Sequence, residues 1–137
     1  MLTGITLVEN QEFRSKHDEA PAENQTVFII GAIDVLVRSF IQDNATAWEQ
    51  TEQGMHLINK SATRNFEICR FGLKGVKNFK DSKGNDLEIS FSKRNIGGKF
   101  YDVVDDNFLT KIPGIVVGEL AERIIEINTA SDDLRKK

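Results

Sequence analysis

The chain has one cysteine, two histidines, two prolines and no long apolar run in its 137 residues. Each scarcity excludes something. A lone Cys69 allows no intramolecular disulfide and no multi-cysteine zinc motif. His17 and His56 show no metal-ligand spacing such as His-x-x-x-His. The longest apolar runs, around Val27 to Ile33 and Ile112 to Val117, are far too short to span a bilayer, so no membrane partner is expected. A basic start followed by an apolar signal core is missing, which leads to the expectation of a product made in the cytoplasm. The three Asn-x-Ser/Thr sites at Asn24, Asn44 and Asn59 then carry no meaning as glycosylation acceptors. No internal repeat or low-complexity segment interrupts the chain.

What is present is ordinary in amount and uneven in arrangement. Hydrophobic residues make up 39% and charged residues 28%, the composition of a globular domain with a modest core. The net charge is -3. Residues 1–59 carry 3 basic and 9 acidic groups, residues 60–99 carry 10 and 4, and residues 100–137 carry 5 and 8. A basic island therefore lies between acidic flanks.

Periodicity predicts an α+β fold, a small antiparallel sheet with a central hairpin at about 76–91 packed on three to four amphipathic helices. Met55, Ile58, Ala62, Phe66, Cys69 and Leu73 recur every three or four residues, which predicts a long helix with one apolar face. Gly72 is placed to end it in the left-handed conformation, near Phe71. Val76 to Lys80 reads as a strand, Asp81 to Asn85 as a turn, and Leu87, Ile89 and Phe91 as the returning strand. Upstream, Ile5 and Leu7 suggest a short strand within Leu2 to Phe13, and Arg14 to Gln25 a polar arm containing Pro21. Thr26 to Ile33 is rich in β-branched residues and predicts a strand. Asp34 can cap a helix carrying Leu36, Val37, Phe40 and Ile41 and ending near Asn44. Ala45 to Gly54 can continue as helix or loop, and Lys93 to Lys99 reads as a loop before a strand at Phe100 to Val104. Asp105 can cap a short helix with Phe108, Leu109 and Ile112. Pro113 suits the first position of a last helix carrying Val117, Leu120, Ala121, Ile124 and Ile127. The organisation expected is an N-terminal strand and arm (1–25), one domain (26–130) and a charged tail (131–137).

No residues form a catalytic or metal-binding constellation, so neither an enzyme nor a cofactor is expected. Cys69 lies on an apolar stripe and reads as a small hydrophobe. Asn95-Ile96-Gly97-Gly98-Lys99 lacks the six-residue span of a phosphate loop, and Phe100 stands where its hydroxyl belongs. Asp105-Asp106 and Asp132-Asp133 lack the alternation of a calcium loop. The basic island offers Lys74, Lys77, Lys80, Lys83, Lys93, Arg94 and Lys99 as partner-binding residues, with Arg70 beside them. Phe71, Phe79, Phe91 and Phe100 are interleaved with these. Such a pattern can grip nucleic acid, but strand alternation sends the aromatics to the core, and a pI of 5.4 argues against a dedicated nucleic-acid binder. Docking on an acidic protein surface, another copy's acidic flank included, fits equally well.

The run from Phe66 to Phe79 (FEICRFGLKGVKNF), followed by Asp81-Ser82-Lys83-Gly84, resembles a pattern in small morphogenesis proteins of tailed bacteriophages. There an "R-F/Y-G-L-K-G-W-x-N-F" segment precedes a "D-x-x-G" turn and a helix of the type "L-P-x-x-x-x-x-E-L-A-x-x-I". Ile112-Pro113, Glu119-Leu120-Ala121 and Ile124 correspond to that helix, and Thr26 to Ile33 to the first half of the pattern. The resemblance implies a non-enzymatic virion structural protein of tail, neck or capsid that binds other phage structural proteins. The runner-up expectation is a tail assembly chaperone absent from the finished particle. A nucleic-acid-binding regulator is the alternative from another class.

Overall fold

The computed structural model describes the backbone of residues 1–59 and 61–134, and their side chains outside 46–51, 56–59 and 130–134. The expected outward position of Lys60, the end of the charged tail, and the side chains of His56 and Ile58 lie outside the described residues.

Seven strands and four α-helices alternate along the described chain: β1 (Gln11–Phe13), β2 (Val27–Ile30), α1 (Val35–Asn44), β3 (Thr46–Thr51), β4 (Gly54–Asn59), α2 (Ser61–Gly72), β5 (Leu73–Lys77), β6 (Phe91–Ile96), β7 (Lys99–Val104), α3 (Asp106–Leu109) and α4 (Gly114–Leu134). The fold class is α+β. All pairing is antiparallel, in a three-stranded sheet ordered β1-β2-β5 and two ribbons, β3-β4 and β6-β7. Strand β2 is central because Val27, Phe28 and Ile30 are all buried, as a strand covered on both faces requires.

Helix α2 packs on α4 and on α1, and also meets β7. From α4 the residues Val116, Val117, Leu120, Ala121, Ile124 and Ile127 are all buried, so the stripe expected from sequence is the stripe observed. Pro113 stands one residue ahead of the first helical position. Its carbonyl accepts the amides of Val116 and Val117. Burying Leu120 and Ile124 contributes about 1.5–3 kcal/mol each. Asn128 is the buried polar side chain among them. Its Oδ1 accepts from the Ile33 amide at 3.1 Å, and its Nδ2 donates to the carbonyls of Ile124 and Gly31 at 2.8 and 3.3 Å. One amide thus serves the chain where β2 ends and can no longer pair with a neighbouring strand.

Several expectations are corrected. The long helix begins only at Ser61. Met55 and Ile58 belong to β4, which pairs with β3 from Thr51↔Gly54 to Thr46↔Asn59. Gly54 takes a φ of 112°, which returns the chain tightly on itself. The helical spacing runs across a strand–helix boundary. Gly72 is not left-handed. It closes the helix against Ile124, and a Cβ there would lie 2.7 Å from Ile124 Cγ2. Leu2 to Phe13 forms a strand only at its last three residues, and Ala45 to Gly54 is strand and turn rather than helix or loop. The expected loop at Lys93 to Lys99 is a ribbon. Gly97 and Gly98 take φ of 60° and 91°, the two positive values of a type I′ hairpin. Around 76–91 the expected turn is present. Lys80 bridges Asp86, and Asp81 Oδ1 accepts the amides of Lys83 and Asn85. The returning segment does not continue as a ladder with β5, and Phe91 instead opens β6. Asn78 leaves β5 at a φ of 57°, with its carbonyl held by Thr26 Oγ1. Phe66 is half-buried at the edge of the core, while Phe71 one turn on is fully inside.

The polar segment 14–25 lies on the domain. Asp18 accepts the amides of Ala20 and Thr26, Gln25 donates to the carbonyls of Ala20 and Asp18, and Ser15 Oγ donates to Glu119 of α4.

Candidate functional site

Asp34 is the node of the most developed polar cluster. It follows β2 in extended conformation, and its Oδ1 accepts the Val37 amide at 2.9 Å, the cap expected from sequence. Its Oδ2 accepts from Tyr101 Oη at 2.7 Å and from Lys99 Nζ at 3.1 Å, both on β7. Burial pushes the Asp34 carboxyl up, but the bonds from Val37, Tyr101 and Lys99, with the lysine charge, outweigh it and hold the group below the usual carboxylate range. Partial burial and the neighbouring carboxylate raise the Tyr101 phenol. An ionised acid with both oxygens engaged, facing a protonated phenol, is a tie between α1 and β7 rather than a general base.

Around this tie runs an apolar groove of two lobes, about 380 and 390 Å³, that share Leu7, Ile33, Asp34, Lys99 and Tyr101. The first lobe adds Ile5, Val35 and Leu36. The second adds Phe91, Phe100 and Lys74. Phe100 is 65% exposed and Phe91 41%, against the expectation that strand alternation buries them. For Phe100 the register explains it. Cross-strand partners share a face, and the inner face of the ribbon carries Arg94 opposite Tyr101, with Ile96 beside them. The Lys93–Asp102 pair and Phe100 fall on the other face; Phe91 shares that face with Val104, which is fully buried, so at that end of the ribbon the register alone does not set exposure.

The structure disperses the seven basic residues singled out from sequence. Lys74 is half-buried, donates to the Phe71 carbonyl at 2.8 Å, and has its pKa lowered by burial. Lys80 pairs with Asp86 at 3.2 Å and Lys93 with Asp102 at 2.6 Å. Arg94 reaches Glu67 at 3.4 Å and lies over the rings of Phe40 and Phe71. Lys99 is tied to Asp34. Lys77 and Lys83 are exposed and, among the described residues, make no ion pair. Arg70 is likewise engaged, by Glu67 and Asp106. Glu67 and Asp86 belong to the island itself, and Asp34, Asp102 and Asp106 come from outside it, so these three outside acids offset half of the sequence excess of six (10 basic less 4 acidic).

The remaining candidates are quiet. Cys69 is fully buried, and burial pushes its thiol up to about 12. His17 stands at 4.0 Å from Glu119 on the surface. A cavity of about 630 Å³ between segment 15–26, the turn at Asn78 and the start of α4 has Phe28, Phe79 and Val116 as its apolar wall. Among the described residues no group of three or more His, Cys, Asp or Glu is placed to hold a metal ion, and no helix is long and apolar enough to cross a membrane. No family model, curated protein or solved structure matches the chain.

Sequence reasoning missed the Asp34–Tyr101–Lys99 tie and the groove. The Gly97-Gly98 pair flanked by alternating residues was the available signal for the ribbon that builds both.

Proposed function

We propose that the chain is a non-enzymatic structural protein of a bacteriophage particle that docks on other tail, neck or capsid proteins. The observation that carries this reading is the β3–β4 ribbon. It belongs to neither of the other sheets, and α1 is its main neighbour. A two-stranded ribbon is at best marginally stable in water on its own. One that stands on the end of a helix is suited to completion by a partner, and Met55 on it is 56% exposed. The resemblance of Phe66 to Gly84 to phage morphogenesis proteins supplies the class of partner. Lys77 and Lys83, exposed and without an ion pair among the described residues, can steer an acidic subunit, although exposed charges orient more than they bind.

Nucleic-acid binding has less support, because five of the seven basic residues are engaged within the chain. The test is mass spectrometry of purified particles together with a Lys77→Glu/Lys83→Glu variant. Lys80 is left alone because its pair with Asp86 closes the turn. The expected result is wild-type protein in particles and reduced incorporation of a variant with unchanged thermal stability. Protein required for assembly but missing from particles would replace the structural role with that of a tail assembly chaperone. A salt-sensitive gel shift by the wild type would favour the nucleic-acid regulator.

A further inference from the structure

We propose that the two-lobed groove face around Asp34 and Tyr101 pairs with the same face of a second copy about a twofold axis. The inference deepens the docking role by naming one partner, and it rests on the chain's own surface rather than on the phage assignment.

Exposed apolar residues concentrate here. Ten large hydrophobic side chains are exposed among the described residues, and six of them line the two lobes: Ile5, Leu7, Val35, Leu36, Phe91 and Phe100. Their exposures run from 41 to 65%. Scattered surface hydrophobes need no explanation, but a contiguous patch rimmed by polar groups marks an interaction surface. Met1 and Leu2 precede Ile5 on the same segment and are bare as well, which widens the apolar margin.

The charges around the patch favour self-pairing over a strongly charged partner. Both signs line the lobes: Asp34 and Asp102 stand among Arg38, Lys74 and Lys99, with Asp34 paired to Lys99 and Asp102 to Lys93 at the edge. A surface of one sign repels its own copy, whereas one with paired signs does not.

The area also fits. Six side chains at about half exposure offer roughly 500 Å² of apolar surface per copy, with aromatic side chains of about 150–250 Å² setting the scale. A standard interface buries about 800 Å² per partner, and in homodimers about 65% of it is apolar. The patch is therefore of the size that supplies the apolar part of one such interface.

Sedimentation velocity and light scattering on the purified full chain, over a concentration series, test this. The expected result is a concentration-dependent monomer–dimer equilibrium. Phe100→Glu with Leu36→Glu should raise the dissociation constant at least about thirtyfold, as loss of central apolar anchors does. Both residues are exposed, so the circular dichroism spectrum and melting midpoint should be those of the wild type. If that pair perturbs the fold, Phe91→Ser with Phe100→Ser makes the same comparison without adding charge. A wild type that stays monomeric at every concentration overturns the proposal. So does a closed trimer or larger ring, or a folded variant that dimerises as the wild type does. None of these results bears on incorporation into particles, so the two readings fail separately.

Discussion

Gly72 and Ile124 form a contact whose energetics can be worked out in advance. Helix α2 ends where α4 crosses it, and Gly72 leaves just enough room for the fully buried Ile124. A Cβ at position 72 would stand 2.7 Å from Ile124 Cγ2 and 2.8 Å from Cδ1, closer than carbon atoms tolerate. Two effects oppose each other in Gly72→Ala. Helix propensity favours alanine by at most about 1 kcal/mol. Overpacking against α4 costs typically about 1–3 kcal/mol. Steric cost should win, because Ile124 is β-branched and hemmed in by the core, so it has few rotamers to escape into. Ile124→Ala alone should cost about 2–5 kcal/mol through lost burial and the cavity left behind. In the double variant the new methyl enters space that Ile124 vacated, so the combined loss should fall short of the sum by about 0.5–3 kcal/mol. Urea unfolding with unchanged m-values measures all four proteins. A stabilising Gly72→Ala, or losses that simply add, would refute the packing and restore an unobstructed helix end.

Two further outcomes follow from the titrating groups. Asp34 has its pKa depressed in the folded chain, so its contribution to stability is present above the ordinary carboxylate pKa and lost as pH falls through the lower folded value. Asp34→Ala should cost about 0.5–2 kcal/mol at neutral pH through the lost helix cap; a wild-type-minus-variant difference that does not shrink in acid would show the tie to be unimportant. Cys69, buried and with its thiol at about 12, should react with a thiol reagent only as fast as the chain opens. Native-state modification at the rate seen in denaturant would contradict its place in the core.

Local signals carried much of the fold. Helix α1 and its Asp34 cap, the buried stripe of α4 and the strand at Val27–Ile30 each depend on spacing and capping within one segment, and such information survives in the linear chain. The α+β class followed from these. Cys69 was placed correctly for the same reason: it sits on a stripe.

Tertiary structure decided what depends on which neighbour a segment meets. Met55 and Ile58 match a helical period equally well from a strand, and only the Gly54 turn and pairing with β3 settle the choice. Phe100 has the residue type of a core position, yet ribbon register sends it outward because Arg94, Tyr101 and Ile96 already occupy the inner face. The basic island of the sequence is at the surface, but folding pairs much of it with acids. Charge along a chain is additive, but Asp34, Asp102 and Asp106, three of the acids that meet it, are brought to it from outside by folding. An apolar surface is left bare beside it, and no linear pattern could show it, because the lobe lined by Ile5 and Leu36 and the lobe lined by Phe100 adjoin only where α1 and the β6–β7 ribbon are tied together through Asp34.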